Sequence, residues 1–216
     1  MAGLNGGEGR MQVTLEKQPA RYTGYNLTYH DDGSLSLDID DYLEGMVERF
    51  GPMEGRTIKE RDTPGDPSIT SRAMELEAAK LKEAGGVSKS NLGKARQILG
   101  SLLYACGKLL PTIGPVCNQL ATTALGCGKL WFTQAYWVLG YIKKLRKRNP
   151  KLYYRTRAEG ESLSPSIDAF SDSSFNTTRM GRSMGGWLVF WGDALINWRT
   201  SLSKTRSEEH TSELQS

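Results

Sequence analysis

Residues 169–200 read AFSDSSFNTTRMGRSMGGWLVFWGDALINWRT. Two apolar runs, Gly185–Gly192 and Ala194–Thr200, lie only a turn's length apart, and Ser166–Asp172 forms a third strand-like run before them. Short runs rich in β-branched and aromatic residues, separated by glycine and polar clusters, predict an antiparallel meander. The first run ends on Asp172, with Ser171, Ser173 and Ser174 around it. A carboxylate there suits a nuclease in which acids hold two metal ions about 4 Å apart and activate water against a phosphodiester. One acid is not enough for that chemistry, and between Phe175 and Thr205 only Asp193, in a predicted turn, could help. The residues alone leave open whether Asp172 is a metal ligand or a polar strand end.

Upstream of the strands the period changes. Three amphipathic runs predict helices. Ala95, Ile98, Leu99, Leu102, Leu103 and Cys106 share the first face; Ile113, Val116, Cys117 and Leu120 the second; Trp131, Ala135, Val138, Leu139, Ile142 and Leu145 the third. The polar stretch from Arg56 to Gly93, with Pro64, Pro67 and Gly85-Gly86, predicts a linker wrapping the surface, with one short helix near Ser71–Ala84. Before it, Tyr25, Leu27 and Tyr29 alternate, Asp31-Asp32-Gly33 supplies a turn, and Leu35, Leu37 and Ile39 alternate again. That predicts a β-hairpin, followed by a helix capped by Asp38 or Asp40 and stopped at Gly51-Pro52.

The chain of 216 residues has a formal charge of +4, yet its last eleven residues carry a net −2. The basic character is concentrated between Tyr141 and Arg157, which hold eight Lys or Arg and no acid. Lys143, Lys144, Arg146, Lys147 and Arg148 are therefore candidate phosphate-binding residues. The same residues also suit a solvated helix end, where cations complement the dipole. Cys106, Cys117 and Cys127 lack CxxC spacing and predict reduced thiols in a cytoplasmic or nuclear setting. With His30 and His210 alone, a zinc site is not expected. No signal-peptide pattern opens the chain, and the apolar region Ile98–Leu125 is broken by Lys108, Pro111 and glycines, short of the ~18 apolar residues of a membrane span.

Two patterns are decoys. ALGCGKLW lacks the glycine spacing and the Ser or Thr after Lys129 of a phosphate loop. YHDD, Tyr29–Asp32, has the form of a polymerase metal motif, but Gly33 follows at once and makes it a turn.

The order of the pieces resembles the C-terminal part of the Pol polyprotein of copia-type LTR retrotransposons. GYNLTYHDDGSLSLDIDDYLEGMVERFG is similar to the close of its reverse transcriptase, and DTPGDP to the link that follows. ILGSLLYACGKLLPTIGPVCNQLA and AYWVLGYIKKL resemble its connecting helices. AFSDSSFNTTRMGRSMGGWLVFWGDALINWRTSLSK resembles the opening of its ribonuclease H domain. The chain departs from the family at Leu110-Pro111-Thr112-Ile113, at Trp131-Phe132, and at Ser174, where a second acid is usual.

The resemblance implies an α+β fold: a hairpin plus helix, a helical connection, and the first antiparallel strands of a truncated ribonuclease H-like domain. Its units would be a poorly ordered segment (1–20), the reverse transcriptase end (21–55), the polar linker (56–93), the connection (94–150) and the ribonuclease H-like strands (151–205). It further implies that Asp172 binds Mg²⁺ in the intact parent, which copies RNA into DNA and cleaves RNA in RNA–DNA hybrids. The partners would be such a hybrid, held by the basic run, and the remainder of the polyprotein. A non-enzymatic, retroelement-derived nucleic-acid-binding protein is the alternative. RSEEHTSELQS (206–216) matches, residue for residue, the translation of a common sequencing-library adapter. It is expected to be foreign to the natural chain, so that Glu208, Glu209 and Glu213 are not ligands, and the natural frame is expected to run on past Thr205.

Overall fold

A computed structural model describes residues 17–51, 57–156, 166–174 and 182–203. The expectations for residues 1–16, for Pro52 and for 206–216 lie outside that set. The described residues form an α+β structure with two antiparallel sheets and five α-helices.

Strands β1 (Arg21–Tyr22), β2 (Tyr25–Tyr29) and β3 (Leu35–Asp38) build the hairpin anticipated from the alternation. Its turn is made by local polar chemistry. Asp32 Oδ1 accepts from the Ser34 amide at 2.9 Å and its hydroxyl at 2.6 Å, bonds that hold the carboxyl below its ordinary pKa. Gly33 takes φ +79°, which costs a residue without Cβ little. β3 is flanked on its other edge by β4 (Leu152–Tyr154), so both of its edges are paired within the sheet. Leu35 and Leu37, the apolar positions, are half-buried, while Ser34 and Ser36 are buried. Each has a partner: the Ser34 hydroxyl meets the Tyr153 hydroxyl at 2.7 Å, and Ser36 Oγ lies 3.1 Å from His30 Nε2.

Helix α1 (Asp40–Phe50) buries Leu43, Met46 and Phe50 at 3–4 spacing. The N-cap position is Ile39, without a side-chain cap; Asp38 acts one residue earlier, accepting from the Asp40 amide at 3.1 Å. Residues 57–70 do more than wrap the surface, because Ile58 and Ile69 enter the core. They lead into α2 (Ser71–Glu83), whose first turn is capped by Thr70 Oγ1 accepting from Ala73 N at 3.2 Å.

Helices α3 (Lys89–Lys108), α4 (Gly114–Thr123) and α5 (Lys129–Arg146) carry the main core. Ile98, Leu102, Ile113, Leu120, Leu139 and Ile142 are fully buried, each worth roughly 1.5–3 kcal/mol by area removed from water. Leu103, expected on the inner face of α3, is 44% exposed. The buried row is Ala95, Ile98, Leu102 and Ala105, and Leu103 sits about 100° around the helix from Leu102.

The second sheet is the meander β5 (Ile167–Ser174), β6 (Met184–Trp191) and β7 (Ala194–Leu202). Phe190 pairs with Leu195 and Val189 with Asn197, so Ile196 is an extra residue bulged from the ladder. The sheet meets the helices through β7. Trp198 donates to the Cys106 carbonyl at 2.7 Å, and Thr200 packs so closely on Gly114 that a Cβ there would lie 2.2 Å from its hydroxyl.

Candidate functional site

Asp172 is the third residue from the end of β5, opposite Gly186, which in turn faces Thr200 on β7. Directly paired residues project from the same face, and Thr200 touches α4, so Asp172 stands on the face turned toward the helices. Gly186 contributes no side chain between the two, which leaves a notch. A groove of about 420 Å³ opens there, walled by Pro111, Thr112 and Pro115 on one side and by Phe170, Leu188 and Trp198 on the other. Asp172 is exposed at its mouth, its Oδ1 accepting from the Ser173 amide at 2.8 Å.

A magnesium pair requires several carboxylates converging on one point. Among the described residues Asp172 is the only acid lining this groove. Asp168 shares its face of β5, but four residues along a strand is about 13 Å. Asp193 is bonded to Arg155 at 2.9 Å. Among the described residues no group of three His, Cys, Asp or Glu could hold a metal ion. The residues present therefore do not fit a magnesium site by themselves.

The candidate phosphate-binding residues form a second cluster, at the C-terminal end of α5, and none of them lines the groove. Their sequence neighbourhood is free of acids, but the fold supplies acids from elsewhere. Arg146 bonds both oxygens of Asp40, at 2.8 and 3.0 Å, and reaches Glu44 at 3.2 Å. Lys144 pairs with Asp62, and Lys147 with Glu60 at 2.7 Å. Lys143 donates to the Ile58 carbonyl at 3.1 Å, and Arg148 adds to the positive field at Asp62. The hydrogen bonds from Arg146, Lys147 and Lys144 hold Asp40, Glu60 and Asp62, respectively, below the usual carboxylate range.

Little in the pattern of residues signals the strap that these cations hold. Residues 57–66 run along α5, where the Arg61 amide donates to Gly140 O at 3.2 Å and the Arg61 guanidinium lies 4.0 Å from the Trp137 ring centroid. Gln134 accepts from the Asp66 amide at 2.9 Å and donates to Gln119 at 3.0 Å, a buried amide pair bridging strap and helices. The signal available was the run of alternating charge at Lys59, Glu60, Arg61 and Asp62. No helix among the described residues is long and apolar enough to cross a membrane. No protein-family model matches the chain, and neither does any curated protein or solved structure.

Proposed function

We propose that the chain is a portion of a copia-type Pol polyprotein, joining the end of a reverse transcriptase to the opening strands of a ribonuclease H-like domain. The observation that carries this reading is the β5–β6–β7 meander with Asp172 exposed beside a groove on the face toward the helices. β5 is the edge strand of its sheet and all eight of its residues are exposed, so among the described residues the acid-bearing strand has a free edge on which further chain can pair. In the parent, Asp172 is one of several carboxylates that bind Mg²⁺ for cleavage of RNA in an RNA–DNA hybrid. The described residues hold only this one, and hydrolysis by the chain alone is not part of the proposal.

The test is to sequence the 3′ end past the codon for Thr205 from genomic DNA or RNA, then to express the extended chain. The expected frame continues through a strand into a helix bearing an acid. The extended protein should cut the RNA strand of a hybrid with Mg²⁺, and Asp172→Asn should abolish cutting while leaving the melting temperature unchanged. A genome that encodes RSEEHTSELQS followed by a stop would overturn the reading. The non-enzymatic alternative rested on the basic run, and the intramolecular partners of Lys143, Lys144, Arg146 and Lys147 do not favour it.

A further inference from the structure

The strap sorts its charges onto two sides. Along Lys59-Glu60-Arg61-Asp62 the side chains alternate, with the period of two that extended chain imposes. Glu60 and Asp62 turn to Lys147 and Lys144 at the end of α5. Lys59 and Arg61 instead line a cleft of about 540 Å³ between the strap and the middle of α5, and Thr57 continues the same alternation. The facing wall is built by Thr133, Tyr136 and Trp137, which share one stripe of α5 at i, i+3 and i+4.

Backbone anchors fix the two walls against each other. The Arg61 amide donates to Gly140 O at 3.2 Å, the Trp137 indole to Thr63 O at 3.1 Å, and the Asp66 amide to Gln134 Oε1 at 2.9 Å. The Arg61 guanidinium lies 4.0 Å from the Trp137 ring centroid, so the cation is held at the aromatic wall. Among the described residues neither Lys59 nor Arg61 forms an ion pair, in contrast to Lys144, Arg146 and Lys147. Lys59 is exposed and Arg61 half-buried. Asp66 is the one acid of the described residues that lines the cleft. Its Oδ1 accepts from the Ser68 amide at 2.9 Å and the Ser68 hydroxyl at 2.7 Å, which leaves Oδ2 to accept from a ligand.

Two cations without counter-ions select an anion, and an aromatic wall selects a planar ring. A carboxylate oxygen beside them selects a hydroxyl or amino group. The volume falls within the roughly 300–1,000 Å³ of small-molecule sites. We propose that the cleft between the strap and α5 binds a nucleoside monophosphate, with its phosphate on Lys59 and Arg61, its base against Tyr136 and Trp137, and a hydroxyl or amino group on Asp66. Asp172 and its groove contribute no residue to this cleft, so the site stands whether or not Asp172 is a metal ligand.

Equilibrium dialysis of the full chain against labelled adenosine and uridine monophosphates tests this, with the two nucleosides and inorganic phosphate as separate arms. The better-bound nucleotide should bind at least about tenfold more tightly than its nucleoside or phosphate alone, the order of one charge-assisted hydrogen bond. Lys59 is exposed, so Lys59→Gln should weaken nucleotide binding about tenfold while leaving nucleoside binding and the melting temperature unchanged. Thr133→Trp, which fills the cleft from α5, should abolish binding of nucleotide and nucleoside alike. Arg96→Gln removes the same charge from an exposed position on α3 and should change neither. Nucleotides that bind no better than phosphate would overturn the proposal, as would unchanged binding in Lys59→Gln or Thr133→Trp. An equal loss in Arg96→Gln would also overturn it, because net charge alone would then be the attraction. So would tighter binding of a short single-stranded RNA than of either mononucleotide, since the ligand would then be a strand and not a free nucleotide.

Discussion

Arg146, in the last turn of α5, binds both carboxylate oxygens of Asp40, in the first turn of α1, across 106 residues of sequence. The bidentate bond joins the negative end of one helix dipole, through a cation and an anion, to the positive end of another. It fastens the N-terminal sheet and its helix to the helical core. A pattern that reads as a free basic tail is in part the lock between two parts of the fold.

That lock has a pH signature. Asp40 is held below its ordinary value of 3.8, mainly by the Arg146 hydrogen bond. A depressed carboxyl contributes stability that is complete above the unfolded value and fades as pH falls through the folded one. Unfolding free energy measured by denaturant titration should therefore drop below pH 3.8 more steeply in the unaltered chain than in Asp40→Asn. Because both groups are partly exposed, a double-mutant cycle with Arg146→Gln should give a coupling of about 0.5–1 kcal/mol. Coupling near zero would mean the pair is ornamental.

The same geometry limits nucleic-acid binding. If Lys143, Lys144, Arg146, Lys147 and Arg148 each neutralised a phosphate, log K against log[salt] would have a slope of roughly −4.5. With Lys144, Arg146 and Lys147 already facing Asp62, Asp40 and Glu60, the expected slope on an RNA–DNA hybrid is shallower than about −2. Fluorescence anisotropy over a salt series measures it directly. A slope near the five-phosphate value would show that the acids release their cations to the duplex.

Much of the architecture was legible because it is local. The hairpin, α1, the core helices α3, α4 and α5 and the β5–β7 meander each announce themselves within a window of about ten residues, where burial imposes period 2 or 3.6. What escaped is non-local. β4 pairs with β3, over a hundred residues away in sequence, and so belongs to the first sheet although it adjoins the later strands in the chain. The acids that meet the basic run come from α1 and the strap. The stretch 57–70, strap included, reads as linker because its anchors, Ile58 and Ile69, stand singly among polar residues and show no period. Asp172 and the shortage of acids downstream of it were legible, but that no other acid of the described residues comes to it in space emerged from the sheet geometry.

The strap gives a paired prediction in which two glycine substitutions have opposite signs. Replacing a glycine inside a helix by alanine ordinarily stabilises by about 0.5–1 kcal/mol. Gly100, in the middle of α3, has nothing within 4 Å of an added Cβ, so Gly100→Ala should follow that rule. At Gly140 the added Cβ would lie 2.1 Å from the Lys59 carbonyl oxygen and 2.9 Å from Arg61 Cγ. The first of these is backbone and cannot swing aside, so Gly140→Ala should lose about 1–3 kcal/mol through overpacking. Chemical denaturation of the two variants side by side decides the matter; equal shifts would place the strap away from α5.

The last prediction concerns β5. It is an edge strand among the described residues and every one of its eight residues is exposed; Ile167 and Phe170 are 70% and 60% exposed, and Trp191, opposite Ile167 on β6, is 55% exposed. An uncovered edge beside apolar side chains is a template for pairing with a second chain, and natural sheets block it with charge, above all lysine. The chain should therefore associate with rising concentration, visible by sedimentation, instead of melting as a cooperative monomer. Ile167→Lys and Ala169→Lys, on the face away from the groove, should suppress association by charge repulsion while moving the stability of the helical core by no more than about 0.5 kcal/mol. If the unaltered chain stays monomeric at high concentration, the β5 edge must be covered by segments outside the described residues, and the free edge invoked for further chain would be taken already.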